Sequence, residues 1–159
     1  MNLIRSAFLW LFMFLTIALM GPVHIFCGLF IDRTGALSYR IATAYLRICL
    51  FYIGMKMRIV GGEHVPREGS FIVMPNHRSW WDIPAVQLAI YPRQLRFIYK
   101  KQLENIPILG WCIKVGGHIG IDREDRDRAV RVLRDVARRF SGRFSLVIFP
   151  EGTRSPGRQ

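Results

Sequence analysis

The stretch FIVMPNHRSWWDIPA, Phe71 to Ala85, passes from an apolar run through a polar turn into a helix start. Phe71 to Met74 reads as a strand, entered from the turn signal Glu68-Gly69. Asp82 stands before Ile83-Pro84-Ala85, and an acidic side chain with an early proline is ordinary chemistry for a helix entrance. That helix covers Ile83 to Ile90 and ends before Pro92. Between strand and helix, His77 and Asp82 lie five positions apart (82 − 77), with Trp80 and Trp81 between them.

Outward from this stretch, strand and helix patterns alternate. Met57 to Val60 reads as a strand ahead of Gly61-Gly62, Leu95 to Tyr99 as another, and Val115 to Ile121 as a further one. Glu124 to Phe140 is the clearest helix, because Ala129, Val130, Leu133, Val136, Ala137 and Phe140 recur at the helical period. Ser145 to Phe149 is a strand leading into Pro150. The pattern predicts an α/β fold with a mixed, partly parallel sheet and flanking helices, preceded by N-terminal membrane helices. Ligands of open α/β sheets gather beyond the carboxyl ends of the strands. Parallel strands would therefore bring Asn76 to Asp82, Asp122-Arg123 and Pro150 to Ser155 to one edge.

The chain has 159 residues, 51% hydrophobic, with a formal net charge of +12. That length suits one domain or part of one. A mean hydropathy of +0.20 with a pI near 10.6 describes a chain both apolar and basic. The combination points to an anionic membrane surface rather than to nucleic acid. Cys27, Cys49 and Cys112 are odd in number, lie among apolar residues and lack metal-ligand spacing, so they read as reduced, packed thiols.

Ser6 to Ile31 supplies the roughly 20 apolar residues that a bilayer core demands of a helix, although Pro22 and His24 interrupt it. Ala18-Leu19-Met20 makes a poor cleavage site, so the segment reads as a retained anchor rather than a signal peptide. Leu37 to Met55 is a second apolar helix with Arg40 and Arg47 on one face. The sequence leaves open whether the two helices span the bilayer or form a hairpin in one leaflet. Basic residues cluster after the first segment, which keeps the downstream part on the cytoplasmic side of the membrane. The expected division is a membrane-anchoring segment over 1–55 and a catalytic domain over 56–159.

His77 and Asp82 can be a turn residue and a helix cap. They can also be a general base and the carboxylate that fixes its tautomer. No GxSxG elbow offers a serine nucleophile, so direct attack by a substrate hydroxyl is the simpler chemistry. Phe149 to Ser155 (FPEGTRS) is a strand end and a turn whose Gly152, Thr153 and Arg154 can cradle an anion, because a guanidinium binds phosphate bidentately. Arg123, after Gly117-His118-Ile119-Gly120-Ile121-Asp122, is a second phosphate-ligand candidate. The other arginines of 126–143 read as a solvated or membrane-facing surface, and His24, His64 and His118 as structural.

Taken together, these pieces resemble the glycerolipid acyltransferase family. Asn76 to Asp82 matches its NHxSxxD block, and Phe149 to Ser155 its FPEGTRS block at every position. Lys101 to Trp111 resembles its linking segment. Gly117 to Arg123 fits its second block imperfectly, with Gly120 where a larger residue is usual. The resemblance covers roughly Lys56 to Ser155 and is most specific to lysophosphatidate acyltransferases.

It implies the glycerolipid acyltransferase fold, with His77 as general base and Asp82 orienting it. Arg123 and Arg154 would bind the acceptor phosphate, in a site shaped by Glu151, Gly152 and Thr153. The acceptor would be lysophosphatidate, the donor acyl-CoA or acyl-carrier protein, and no metal or other cofactor would be needed. Family members continue past FPEGTRS, so the catalytic part is expected to be incomplete at its C-terminus. Rival readings are the same chemistry on glycerol 3-phosphate or another lysolipid, a non-catalytic membrane lipid-binding protein, and a nucleic-acid binder.

Overall fold

The structure, a computed structural model, describes residues 3–32, 34–122, 124–138 and 144–151. They fall into two compact units, one drawn from Met1–Arg58 and Glu104–Gly117, the other from Ile59–Leu103 and His118–Gln159.

The first unit is helical. Helix α1, Leu3–Phe26, carries Pro22 inside it and runs on as a π-helical turn over Cys27–Ile31. From Ala7 to Ile31 it forms 25 residues of mean hydropathy 2.1, long and apolar enough to cross a membrane. Asp32 then reverses the chain, its carboxylate accepting from Thr34 and from the backbone N–H of Leu37 at the start of α2, Ala36–Tyr52. Phe12 of α1 stacks on Tyr52 of α2 with ring centroids 3.6 Å apart.

Between Lys101 and Ile121 the outcome differs from the expectation. Leu109–Val115 is a helix, α4, and only Ile119–Ile121 is a strand. The reason is packing. Ile108, Cys112 and Val115 recur at helical spacing, and α1 meets them with glycines: a Cβ at Gly21 would strike Ile108, and one at Gly28 would strike Val115 and Ser38. His24, buried in α1, bonds through Nε2 to the carbonyl of Cys112 at 3.2 Å.

The second unit holds a four-stranded sheet in the order β1-β4-β2-β3, with β1 Ile72–Val73, β2 Leu95–Lys100, β3 Ile119–Ile121 and β4 Ser145–Val147. All three pairings are parallel: Val73 aligns with Val147, Val147 with Phe97, and Lys100 with Ile121. A helix lies in each connection, α3 (Asp82–Ile90), α4 and α5 (Arg126–Arg138), as parallel neighbours demand. Met57 to Val60, expected as a strand, joins no ladder among the described residues. Ile59 and Val60 are 50% and 81% exposed, so this apolar run has no face to bury.

The core sits on the two central strands, where Leu95 and Val147 are fully buried and Phe97 and Leu146 nearly so. Ser145 is also buried, and its Oγ accepts from the N–H of Phe71, tying β4 to the residue that leads into β1. Leu95→Ala leaves a cavity at the middle of this sheet and is expected to lower the unfolding free energy by about 2–5 kcal/mol. Chemical denaturation of the purified chain in detergent measures it.

Candidate active site

Strand β1 ends at Val73, and the chain then turns through Asn76 to Trp81 before α3 begins at Asp82. Two residues build this turn. Ser79 Oγ accepts from the N–H of Trp81 at 3.2 Å, and Ser79 O accepts from the N–H of Asp82 at 3.3 Å. In return, Asp82 Oδ2 accepts from the N–H of Ser79 at 2.7 Å and from that of Arg78 at 2.6 Å. Ser79 and Asp82 thus close the turn on each other, the serine through its carbonyl and the aspartate through one carboxylate oxygen. Asp82 is not the cap residue that its position ahead of Pro84 suggests. It is the first helical residue, and its carboxylate reaches back over the turn.

The same oxygen, Oδ2, also lies 3.1 Å from His77 Nδ1. A carboxylate can only accept, so Nδ1 carries the hydrogen and the lone pair of a neutral ring sits on Nε2. Among the described residues nothing is hydrogen-bonded to Nε2. Burial is the largest single influence on the Asp82 carboxyl and works to raise its pKa. The N–H groups of Ser79 and Arg78 and the His77 ring together outweigh it, and the carboxyl is held below its ordinary value. Asp82 is thus a fixed anion beside a base whose proton-accepting nitrogen points away from it.

The far side of the imidazole is supported by Phe149. The two rings stack with centroids 4.1 Å apart and planes 29° from parallel. Phe149 reaches this position because β4 lies beside β1 in parallel, with Ile148 N–H bonded to the carbonyl of Val73 at 3.0 Å. Residues just beyond both strands therefore leave the sheet together. The ring leaves 16% of the His77 side chain exposed, a shielded but reachable base.

Of the three segments expected at one edge, Asn76 to Asp82 leaves β1 there, and Phe149, the residue just ahead of the Pro150 segment, stacks on it. Asp122 leaves the same end of the sheet from β3, two strands from β4, hence about 10 Å away by strand spacing. Glu151 is exposed at the turn after Pro150. Arg123, Gly152, Thr153 and Arg154 lie outside the described residues. Two functional contributions went unread in the sequence. Ser79 was signalled by its Ser-x-x-Asp spacing to Asp82. Phe149 as a ring platform had no local signal, since stacking depends on strand order.

Comparison with known proteins adds to this geometry. The profile of the family described as Acyltransferase matches residues 56–159. The chain is 37% identical over 101 residues to a 1-acyl-sn-glycerol-3-phosphate acyltransferase of Helicobacter pylori, covering 60% of this chain and 42% of that protein. It is 25% identical over 158 residues to a lyso-ornithine lipid O-acyltransferase of Rhizobium meliloti, covering 98% of this chain and 51% of that one. Among solved structures it resembles the 1-acyl-sn-glycerophosphate acyltransferase PlsC of Thermotoga maritima, with a TM-score of 0.69 at 25% identity, over 98% of this chain and 64% of that one. The chain thus spans about half the length of these curated relatives.

Proposed function

The chain belongs to the acyltransferase family, and on that premise we propose that it transfers an acyl chain from a thioester donor to the free sn-2 hydroxyl of lysophosphatidate, giving phosphatidate. The observation that carries this reading is the His77–Asp82 pair, with Nδ1 held by the carboxylate and Nε2 left for a substrate proton.

In the proposed reaction, Nε2 takes the hydroxyl proton as the oxygen attacks the thioester carbonyl. Asp82 stabilises the imidazolium so formed. The tetrahedral intermediate collapses with loss of the thiolate, which recovers the proton from His77. Bonds and protons balance without a metal or redox group. Arg123 and Arg154 are assigned to the acceptor phosphate, with Glu151, Gly152 and Thr153 shaping its turn. Acyl-CoA and acyl-carrier protein are both candidate donors. The apolar span from Ala7 to Ile31 supports residence at a membrane, where such an acceptor is found, with the catalytic part on the cytoplasmic side.

A product-resolved assay tests the reading. Membranes carrying the chain are given lysophosphatidate with each donor in turn, and phosphatidate formation is expected with one or both. A second acceptor has support of its own, because the lyso-ornithine lipid O-acyltransferase matches this chain over 98% of its length. Transfer to lyso-ornithine lipid but not to lysophosphatidate would move the assignment there.

The phosphate assignment predicts a split in kinetics. Arg154→Ala removes a bidentate ligand of the acceptor, so KM for lysophosphatidate is expected to rise by about 10- to 100-fold with little change in kcat. An unchanged KM would sink the role given to Arg154.

A further inference from the structure

Helix α5 carries more apolar surface than its place in the fold uses. It packs beside β3, and Ala129, Val132 and Val136 form its half-buried stripe. That stripe suffices to seat a surface helix. Yet Val130, Leu133 and Ala137 make a second stripe beside it, and this one is exposed: Val130 by 39% and Leu133 by 36%. Single exposed apolar residues are normal, but a row of three at helical spacing is a continuous patch.

The next row round the helix is Asp127, Arg131, Arg134 and Arg138, all exposed, with Arg138 3.9 Å from Asp135, while Arg126 heads the apolar row. Within Arg126–Arg138 there are five arginines against Asp127 and Asp135. An apolar stripe bounded on one side by the seated face and on the other by arginines has the layout of a helix lying in a membrane interface. Its apolar residues enter the acyl boundary, while the guanidinium groups stay level with the headgroups.

We infer that the exposed face of α5 is a second membrane-contact surface, docking on anionic phospholipid headgroups. Charge complementarity names the occupant. The helix is cationic, the chain carries a net charge of +12, and the cytoplasmic leaflet is anionic. A span of membrane length in the same chain keeps a bilayer within reach of the folded protein. Each arginine at such a surface strengthens contact by about fivefold at ordinary ionic strength. The inference is independent of the acyl-transfer proposal, since it needs neither His77 nor any substrate.

Photo-cross-linking of the full chain in lipid nanodiscs tests it. A benzophenone amino acid is placed at position 133, and in a second variant at position 135 on the polar side of the helix. Discs contain phosphatidylcholine alone or mixed with phosphatidylglycerol, and lipid adducts are identified by mass. The expected result is severalfold more phosphatidylglycerol adduct at 133 than at 135. That excess falls severalfold with Arg131→Glu, Arg134→Glu and Arg138→Glu combined, and falls again at high salt. No lipid adduct at 133 places the face in water and overturns the inference, and equal adduct at both positions overturns it as unspecific contact. So does an adduct at 133 indifferent to headgroup charge. A protein–protein cross-link at 133 overturns it in favour of a second copy of the chain. The three glutamate substitutions lie on exposed side chains, so a folded variant is available whichever way the result falls.

Discussion

His77→Ala is expected to lower the proposed acyl transfer by about 10²- to 10⁴-fold, the loss that follows removal of a positioned general base. In the proposed reaction the effect should fall on kcat, because Nε2 would meet the substrate proton only as the hydroxyl becomes a nucleophile. Acceptor affinity is expected to stay near that of the parent chain. The fold should persist, since the imidazole contributes one hydrogen bond and one ring contact at the sheet edge, whereas the buried core is on β2 and β4. A product-resolved assay beside a far-ultraviolet dichroism spectrum reads both. Unaltered transfer in a folded His77→Ala chain would return this residue to the role of a turn histidine, and would favour a lipid-binding protein over an enzyme.

Asp82 is expected to show the second large effect, and two substitutions separate its duties. One oxygen accepts from His77, Arg78 and Ser79 together. Asp82→Ala removes all three acceptances, and transfer should fall by about 100-fold or more as the base loses its tautomer and its place. Losing the two backbone bonds that close the turn should also cost about 0.5–1.5 kcal/mol of stability for each. Asp82→Asn can keep the two backbone bonds through its carbonyl oxygen but not the charge beside the imidazolium. It should hold most of the stability and still lose most of the rate. If the asparagine variant kept full activity, orientation alone would be the carboxylate's task.

The same group sets an acid limit. Its pKa is lower in the folded chain than in the unfolded one, so the unfolded chain binds the proton more readily. The stability it contributes is therefore complete above the ordinary carboxylate value near about 4 and is lost as pH falls below that. The small gap between the denaturation midpoints of the parent chain and of Asp82→Asn should be present at neutrality and close toward low pH.

Much of the sheet and half of the site were legible because their signals are local. Phe71 to Met74, Leu95 to Tyr99 and Ser145 to Phe149 announce strands by composition and by the turns around them. Four of the five expected strands contain the observed ones or match them to a residue. The five-residue step from His77 to Asp82 spans one turn that the Ser79 bonds close, so the pair needs no distant help to form. What escaped depends on partners far along the chain. Met57 to Val60 has strand composition but no neighbour. Leu109 to Val115 is a helix because Gly21 and Gly28 open a seat for it, and the Cys112 Sγ contact to the Gly21 carbonyl spans 91 positions. No window of a dozen residues carries that information. Phe149 is the same case, since its neighbour is decided by which strand lies beside β1.

That strand order has a consequence in time. During synthesis, β1 and the His77 turn leave the ribosome early, yet the strand that must pair with them is 74 positions downstream (Ile72 against Leu146, 146 − 72). Until β4 emerges and slots between β1 and β2, the edge that carries His77 has no partner and the imidazole has no ring behind it. The proposed base thus gains its ring support late, from the segment that also bears the proposed phosphate turn. The ring behind the proposed base and the proposed acceptor turn would become available in one step.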